Sequence, residues 1–137
     1  MGVTIRCKKT GESIDMGAGG FMRLRNKVAE LAGGPFAEHY LSLNPFGDEE
    51  YFKEFDEKTA EILKNKQADI KIVDFCLQSD CDGKIRYGAC KNILKVIGDY
   101  DDDIKYGYCG RADCVMFKDF KNLLSDCVKN KCDLVWS

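Results

Sequence analysis

Residues 70–97 read IKIVDFCLQSDCDGKIRYGACKNILKVI. Ile70, Val73 and Leu77 recur at helical spacing before an acidic, glycine-containing turn. Cys90, Ile93, Leu94 and Ile97 recur at the same spacing after it. Apolar residues at i, i+3, i+4 and i+7 mark one face of a helix, so the stretch predicts a helix–loop–helix. The rest of the chain is read outward from this unit.

The loop Asp80-Cys81-Asp82-Gly83-Lys84-Ile85 resembles the middle of an EF-hand. In such a loop, carboxylates at alternate positions face one cation and glycine makes the sharp turn. Asp80 and Asp82 are therefore the candidate metal residues. Placed at loop positions three and five, they put Gln78 at position one and Ala89 at position twelve, where the bidentate carboxylate belongs. Two carboxylates fall short of the roughly six to eight oxygens that calcium takes. A turn that caps a helix is the competing reading, and ligand count favours it.

With 137 residues, 45% hydrophobic and 32% charged, the chain reads as one soluble globular domain over residues 1–137. Its net charge of −2 offers no clustered cations for a nucleic-acid backbone, and no nucleic-acid partner is expected. The opening MGVTIRCKKTG has no apolar core of a signal peptide. No window approaches the roughly 18 apolar residues of a membrane span. Arg6 stands where a myristoylation signal wants Ser or Thr. The expectation is a cytoplasmic protein with no membrane partner. Its eight cysteines, at 7, 76, 81, 90, 109, 114, 127 and 132, would then stay thiols or bind metal.

Val3 to Cys7 is β-rich, Lys8 to Glu12 supplies a turn, and Ser13 to Met16 returns as the second strand of a hairpin. Gly17-Ala18-Gly19-Gly20 follows, and Phe21, Leu24, Val28 and Leu31 stripe a helix that ends at Gly33-Gly34. A glycine run between a strand and a helix is where backbone N–H groups can cradle an anion. Gly17, Gly19, Gly20 and Arg23, with Arg25 nearby, are the candidate residues for a phosphate or nucleotide. The run matches neither G-x-G-x-x-G nor a P-loop, and a plain strand-to-helix turn competes with the ligand reading.

Pro35 to Leu43 predicts a short helix broken at Asn44-Pro45-Phe46-Gly47. Asp48 caps a longer helix to about Lys66, with Tyr51, Phe52, Phe55, Thr59, Ile62 and Leu63 on its buried face. The acidic run Asp99 to Asp103 reads as a solvated turn. Tyr106 to Arg111 is loop-like, and Asp113 can cap a helix over Cys114–Asn130 striped by Met116, Phe120, Leu123, Leu124 and Cys127. Asp133 to Trp136 is a short strand that can extend the hairpin. Cys76-x-x-x-Asp80-Cys81 echoes Cys109-x-x-x-Asp113-Cys114 faintly, as a duplicated helical unit would.

Cys76/Cys81, Cys109/Cys114 and Cys127/Cys132 share one spacing, at the long edge for paired zinc ligands. Cys109, Cys114, Cys127 and Cys132 form a shared site only if the helix between them bends, since thirteen residues of helix hold its ends roughly 20 Å apart. Reduced thiols are the expectation, with zinc or calcium the only metals in view and no other cofactor. Catalysis finds no constellation: His39 is the one histidine, read as the surface of a short helix, and no serine sits in G-x-S-x-G.

The opening MGVTIRCKKTGESIDMGAGGFMRLRNKVAEL, together with SDCDGKIRYGACKNILKVI, resembles small uncharacterised proteins of phages and mobile elements of Gram-positive bacteria. The resemblance implies a bacterial cytosol and an accessory role in a phage–host contest. The fold expected is α+β: a small antiparallel sheet, from the N-terminal hairpin and the C-terminal strand, packed on four or five helices. The function expected is non-enzymatic binding of a protein partner, antagonising a host or defence system. Tyr100, Tyr106, Tyr108 and Arg111 are its candidate contact residues, because Tyr and Arg are enriched in binding hot spots. A small-ligand binder using Gly17–Gly20 and a metal-stabilised helix–loop–helix are the alternatives.

Overall fold

The computed structural model describes residues 2–100 and 115–137. The elements run β1 (Gly2–Cys7), β2 (Ser13–Gly17), α1 (Ala18–Ala32), α2 (Gly34–Leu41) and α3 (Glu49–Lys64). They continue as α4 (Ile70–Leu77), β3 (Gly83–Ile85), α5 (Tyr87–Ile97), α6 (Phe117–Asn130) and β4 (Leu134–Trp136). The fold is α+β, as expected, with a four-stranded antiparallel sheet in the order β2-β1-β4-β3 and six helices among the described residues.

Alternation builds the sheet. Val3, Ile5 and Cys7 are buried while Gly2, Thr4 and Arg6 face outward or lie part-buried, as a period of two requires. Val3 pairs with Met16 and Ile5 with Ile14 in the hairpin. On the outer face Thr4 Oγ1 donates to Asp15 Oδ1 at 2.7 Å across the same pair of strands. The other edge of β1 takes the C-terminal strand, with Ile5 opposite Trp136 and Cys7 opposite Leu134.

Of the two caps read from the sequence, Asp48 acts where it is expected and Asp113 lies outside the described residues; Asp69 is a further cap. Asp48 Oδ1 accepts the Tyr51 N–H at 2.8 Å and starts α3; Asp69 does the same for Lys71 at 2.9 Å and starts α4. In α6 the buried face begins at Phe117; Met116 is the N-cap, and its N–H donates to Asp119 at 3.0 Å. On α3 only Phe55, Thr59 and Ile62 are buried, and Phe52 faces outward.

Two expectations change. Gly83 does not make a left-handed turn; it is a strand residue in β3, opposite Trp136 of β4. A Cβ added there would fall inside the contact surface of the Trp136 indole, so glycine serves close approach. His39 is not on the surface. It is 4% exposed, stacks on Phe55 with ring centroids 3.9 Å apart, and its Nε2 meets Thr59 Oγ1 at 2.7 Å and Phe55 O at 3.1 Å. Thr59 Oγ1 itself donates to Phe55 O at 2.9 Å, so the imidazole Nε2–H is the donor to both oxygens and ties α2 to α3.

The centre of the core is aromatic. Trp136 packs its ring 5.5 Å from Phe21 of α1 and 5.7 Å from Phe75 of α4, and Phe75 stacks 5.9 Å from Phe120 of α6. Its indole N–H donates to Ser79 O at 2.9 Å, so this large side chain is buried without an orphaned donor.

Two outcomes test this packing. Gly83→Ala should lower unfolding free energy by about 1–3 kcal/mol in urea titration, because Phe21 and Phe75 leave the indole nowhere to move. Burial lowers the His39 pKa from its ordinary 6.5, against the opposing hydrogen bond to Phe55 O. Below that value the unfolded chain takes up a proton that the folded chain resists, so stability is full above it and declines as the pH falls below it. The urea midpoint should drop between about pH 7.5 and about pH 5.5, and His39→Gln should flatten that drop.

Candidate functional site

At the junction of β2 and α1, the N-cap Gly17 offers no side chain to the helix, and no acidic residue stands in the first turn. The first N–H groups of α1 therefore present a positive end without a side-chain acceptor. Beside them a cleft of about 370 Å³ opens between α1, α2 and the end of α4. Ala18, Gly19 and Met22 line it from α1, Tyr40 and Leu43 from α2 and the turn after it, and Leu77 and Asp80 from α4 and its loop. Met22 and Leu77 are exposed, which gives the cleft an apolar lip.

Arg25 also lines this cleft and is the unusual group in it. It is 8% exposed, yet among the described residues its guanidinium forms no ion pair. Nη1 donates to Gln78 O at 2.6 Å and to Phe75 O at 3.4 Å, so the cation caps the carbonyl end of α4. The guanidinium carbon sits 4.6 Å over the Phe21 ring. Nε is buried with no hydrogen-bond partner. Asp80 at the rim forms no ion pair with Arg25, and the two buried ionisable groups that line the cleft beside it, Tyr40 and Cys76, do not supply a negative charge. Burial pushes the Tyr40 hydroxyl up to about 12, with the Cys76 thiol adding to the rise and Arg25 opposing it. Burial likewise pushes Cys76 up to about 12, again opposed by Arg25. A buried, uncompensated cation beside a helix N-terminus can accept a carboxylate at little further desolvation cost.

The sequence candidates fall as follows. Gly19 lines the cleft with open space at its Cβ position, while Gly17 and Gly20 are buried beside it. Arg23 is exposed and does not line the cleft; Arg25, two residues on, does. Helical spacing distinguishes them, since Arg25 follows the buried Leu24 onto the core side of the α1 stripe.

Asp80 and Asp82 lie in a loop that is closed without a cation. The Gln78 side chain bridges it: Nε2 donates to Lys84 O at 2.7 Å and Oε1 accepts the Lys84 N–H at 3.0 Å. In the EF-hand alignment Lys84 stands at position seven, whose carbonyl would face the ion. The Gln78 amide takes up that carbonyl, and the buried Ala89 stands at the closing position.

Tyr100 is part-buried, with its ring 5.2 Å from Phe117 and its carbonyl accepting from Lys121 Nζ at 3.0 Å. Tyr106, Tyr108 and Arg111 lie outside the described residues, as do Cys109 and Cys114. A wider depression over α4 and α5 is lined by Lys71, Lys84, Arg86 and Lys91, all exposed, with Asp74 among them.

Cys7, Cys127 and Cys132 come together, with their sulfurs within 4.8 Å of one another. Spacing does not group Cys7 with the other two, because it reaches them through the β1–β4 pairing. Burial raises the Cys7 pKa, but hydrogen bonds from Cys132 and Thr10 outweigh it and bring the value to about 7.

Comparison with protein-family models, with curated proteins and with solved structures gave no match.

The Gln78 bridge makes a prediction. Gln78→Ala should cost about 1 kcal/mol, read as a lowered urea midpoint, because two backbone groups of Lys84 lose their partner to water. Calcium should not restore the loss.

Proposed function

We propose that this chain is a non-enzymatic binding protein whose α1 cleft takes an acidic side chain, flanked by an aliphatic one, from a protein partner. The observation that supports the reading is Arg25: a guanidinium 8% exposed, with no carboxylate paired to it among the described residues. The lip of Met22, Leu43 and Leu77 suits an aliphatic neighbour. Asp80 at the rim repels a polyphosphate more than a single carboxylate, so an acidic side chain is favoured over a nucleotide. The one histidine is bonded between α2 and α3, away from the cleft lining, and offers it no general base. We place this binder in the setting that the sequence resemblance implies, a phage or mobile element acting on a host or defence protein.

Selection from a random peptide library on the immobilised chain tests the reading. Enriched peptides should carry Asp or Glu beside Leu, Ile or Val, and replacing the acid by its amide should weaken binding about ten-fold or more. Gly19→Asp places a carboxylate in the first turn of α1, where its Cβ meets nothing. It should keep or slightly raise the melting temperature, since an acid suits that turn, and it should abolish peptide binding. Enriched peptides without an acid, or binding that survives Gly19→Asp, would refute the proposal.

A further inference from the structure

Three thiols, from β1, from α6 and from the turn after α6, converge at the end of the β1–β4 pair. Cys7 ends β1, Cys127 lies in the last turns of α6, and Cys132 follows that helix. Lys131 adopts the left-handed conformation at φ 51°, and the Cys132 N–H returns to Cys127 O at 3.1 Å. This is a Schellman turn, and it folds Cys132 back beside Cys127. Cys7 and Cys132 are in direct contact, Sγ to Sγ 2.9 Å. Cys7 and Cys127 are fully buried and Cys132 is half-buried, so one side of the cluster remains open to entry.

The surroundings act unequally on the three thiols: against burial, hydrogen bonds from Cys132 and Thr10 lower Cys7, Cys90 and burial raise Cys127, and burial raises Cys132. The hairpin turn after Cys7 directs the backbone N–H of Thr10 at the Cys7 sulfur and that of Lys9 at the Cys132 sulfur. N–H groups aimed at sulfur orient thiolates and offset their charge. The Cys127 thiol donates to Asp133 O at 3.7 Å, and a fourth thiol, the buried Cys90 of α5, neighbours Cys127 from the core side. Metal–thiolate bonds of about 2.3 Å place tetrahedral sulfurs roughly 3.8 Å apart, longer than the 2.9 Å Cys7–Cys132 contact and inside the 4.8 Å within which all three sulfurs lie. Among the described residues no histidine or carboxylate belongs to the cluster.

We propose that Cys7, Cys127 and Cys132 bind a thiophilic d10 metal ion, Zn²⁺ or Cu⁺. Each ligand gives up to solvent whatever proton it still carries as its metal–sulfur bond forms, three thiolates being needed for Cu⁺ and a fourth for Zn²⁺, and no oxidant or reductant is needed. The two ions differ in demand. Cu⁺ is satisfied by three thiolates, whereas structural Zn²⁺ takes four ligands and would recruit Cys90.

The test is titration of the full chain, held reduced by a phosphine, with Zn²⁺, with Cu⁺ and with Co²⁺ as a spectroscopic stand-in for zinc, against a chromophoric chelator. One equivalent should bind, the melting temperature should rise, and Co²⁺ should give thiolate charge-transfer absorption. Cys132→Ser, at the half-buried position, should lose the ion while its urea midpoint without metal stays close to wild type. Cys7→Ser should lose it as well. Cys81→Ser and the double substitution Cys109→Ser with Cys114→Ser should keep it. Cys90→Ala should lose Zn²⁺ and retain Cu⁺ if the fourth ligand is as assigned. Failure of every ion to compete with the chelator would overturn the proposal. So would binding that persists in a folded Cys132→Ser variant or vanishes only with Cys109 and Cys114. A Cys7–Cys132 disulfide that resists the phosphine and excludes metal would also overturn it.

Discussion

The burial of Trp136 is the constraint on which the rest of the structure depends. One indole fills the space between α1 and α4 through Phe21 and Phe75, and its N–H fixes the Ser79 carbonyl at the end of α4. The same ring forbids a side chain at Gly83, so the facing residue must be glycine for β3 to pair with β4. A C-terminal strand of three residues, Leu134–Trp136, thereby joins the N-terminal hairpin to the helix–loop–helix at the middle of the chain. Fully burying an aromatic of this size contributes on the order of several kcal/mol, a large share of a marginal net stability.

The candidate cleft inherits its shape from that arrangement. Ser79 O is held by Trp136 and the adjacent Gln78 O by Arg25, so successive carbonyls at the end of α4 are fixed from opposite sides. The Gln78 side chain then closes the following loop onto Lys84. Arg25 is thus locked in place by backbone oxygens that neutralise only part of its charge, while the N-terminus of α1 adds a second positive end next to it. A rigid, desolvated, unpaired cation is poor for stability alone and well suited to recognition.

Much of the fold is legible in the sequence. The hairpin follows from the alternation of Val3, Ile5 and Cys7, the helices from their apolar stripes, and the start of α3 from Asp48. What stays hidden depends on pairing between distant segments. Gly83 reads as a turn glycine because nothing local announces that Trp136, far along the chain, will lie against it. His39 reads as a surface residue because its acceptors come from α3. Of the site, the glycine run before α1 is visible, but the choice between Arg23 and Arg25 turns on which side of the helix meets α4. The meeting of Cys7 with Cys127 and Cys132 follows from strand order alone and leaves no trace in cysteine spacing.

The most direct measurement of the central claim is the nitrogen-15 NMR signal of the Arg25 side-chain Nε–H, followed in the free chain and on titration with a selected acidic peptide. Because Nε is buried, its signal should be protected from exchange with water in the free chain and should shift together with the Gly19 amide on peptide addition. A signal that exchanges freely with water, or peptide-induced shifts confined to residues outside the α1 cleft, would contradict that claim.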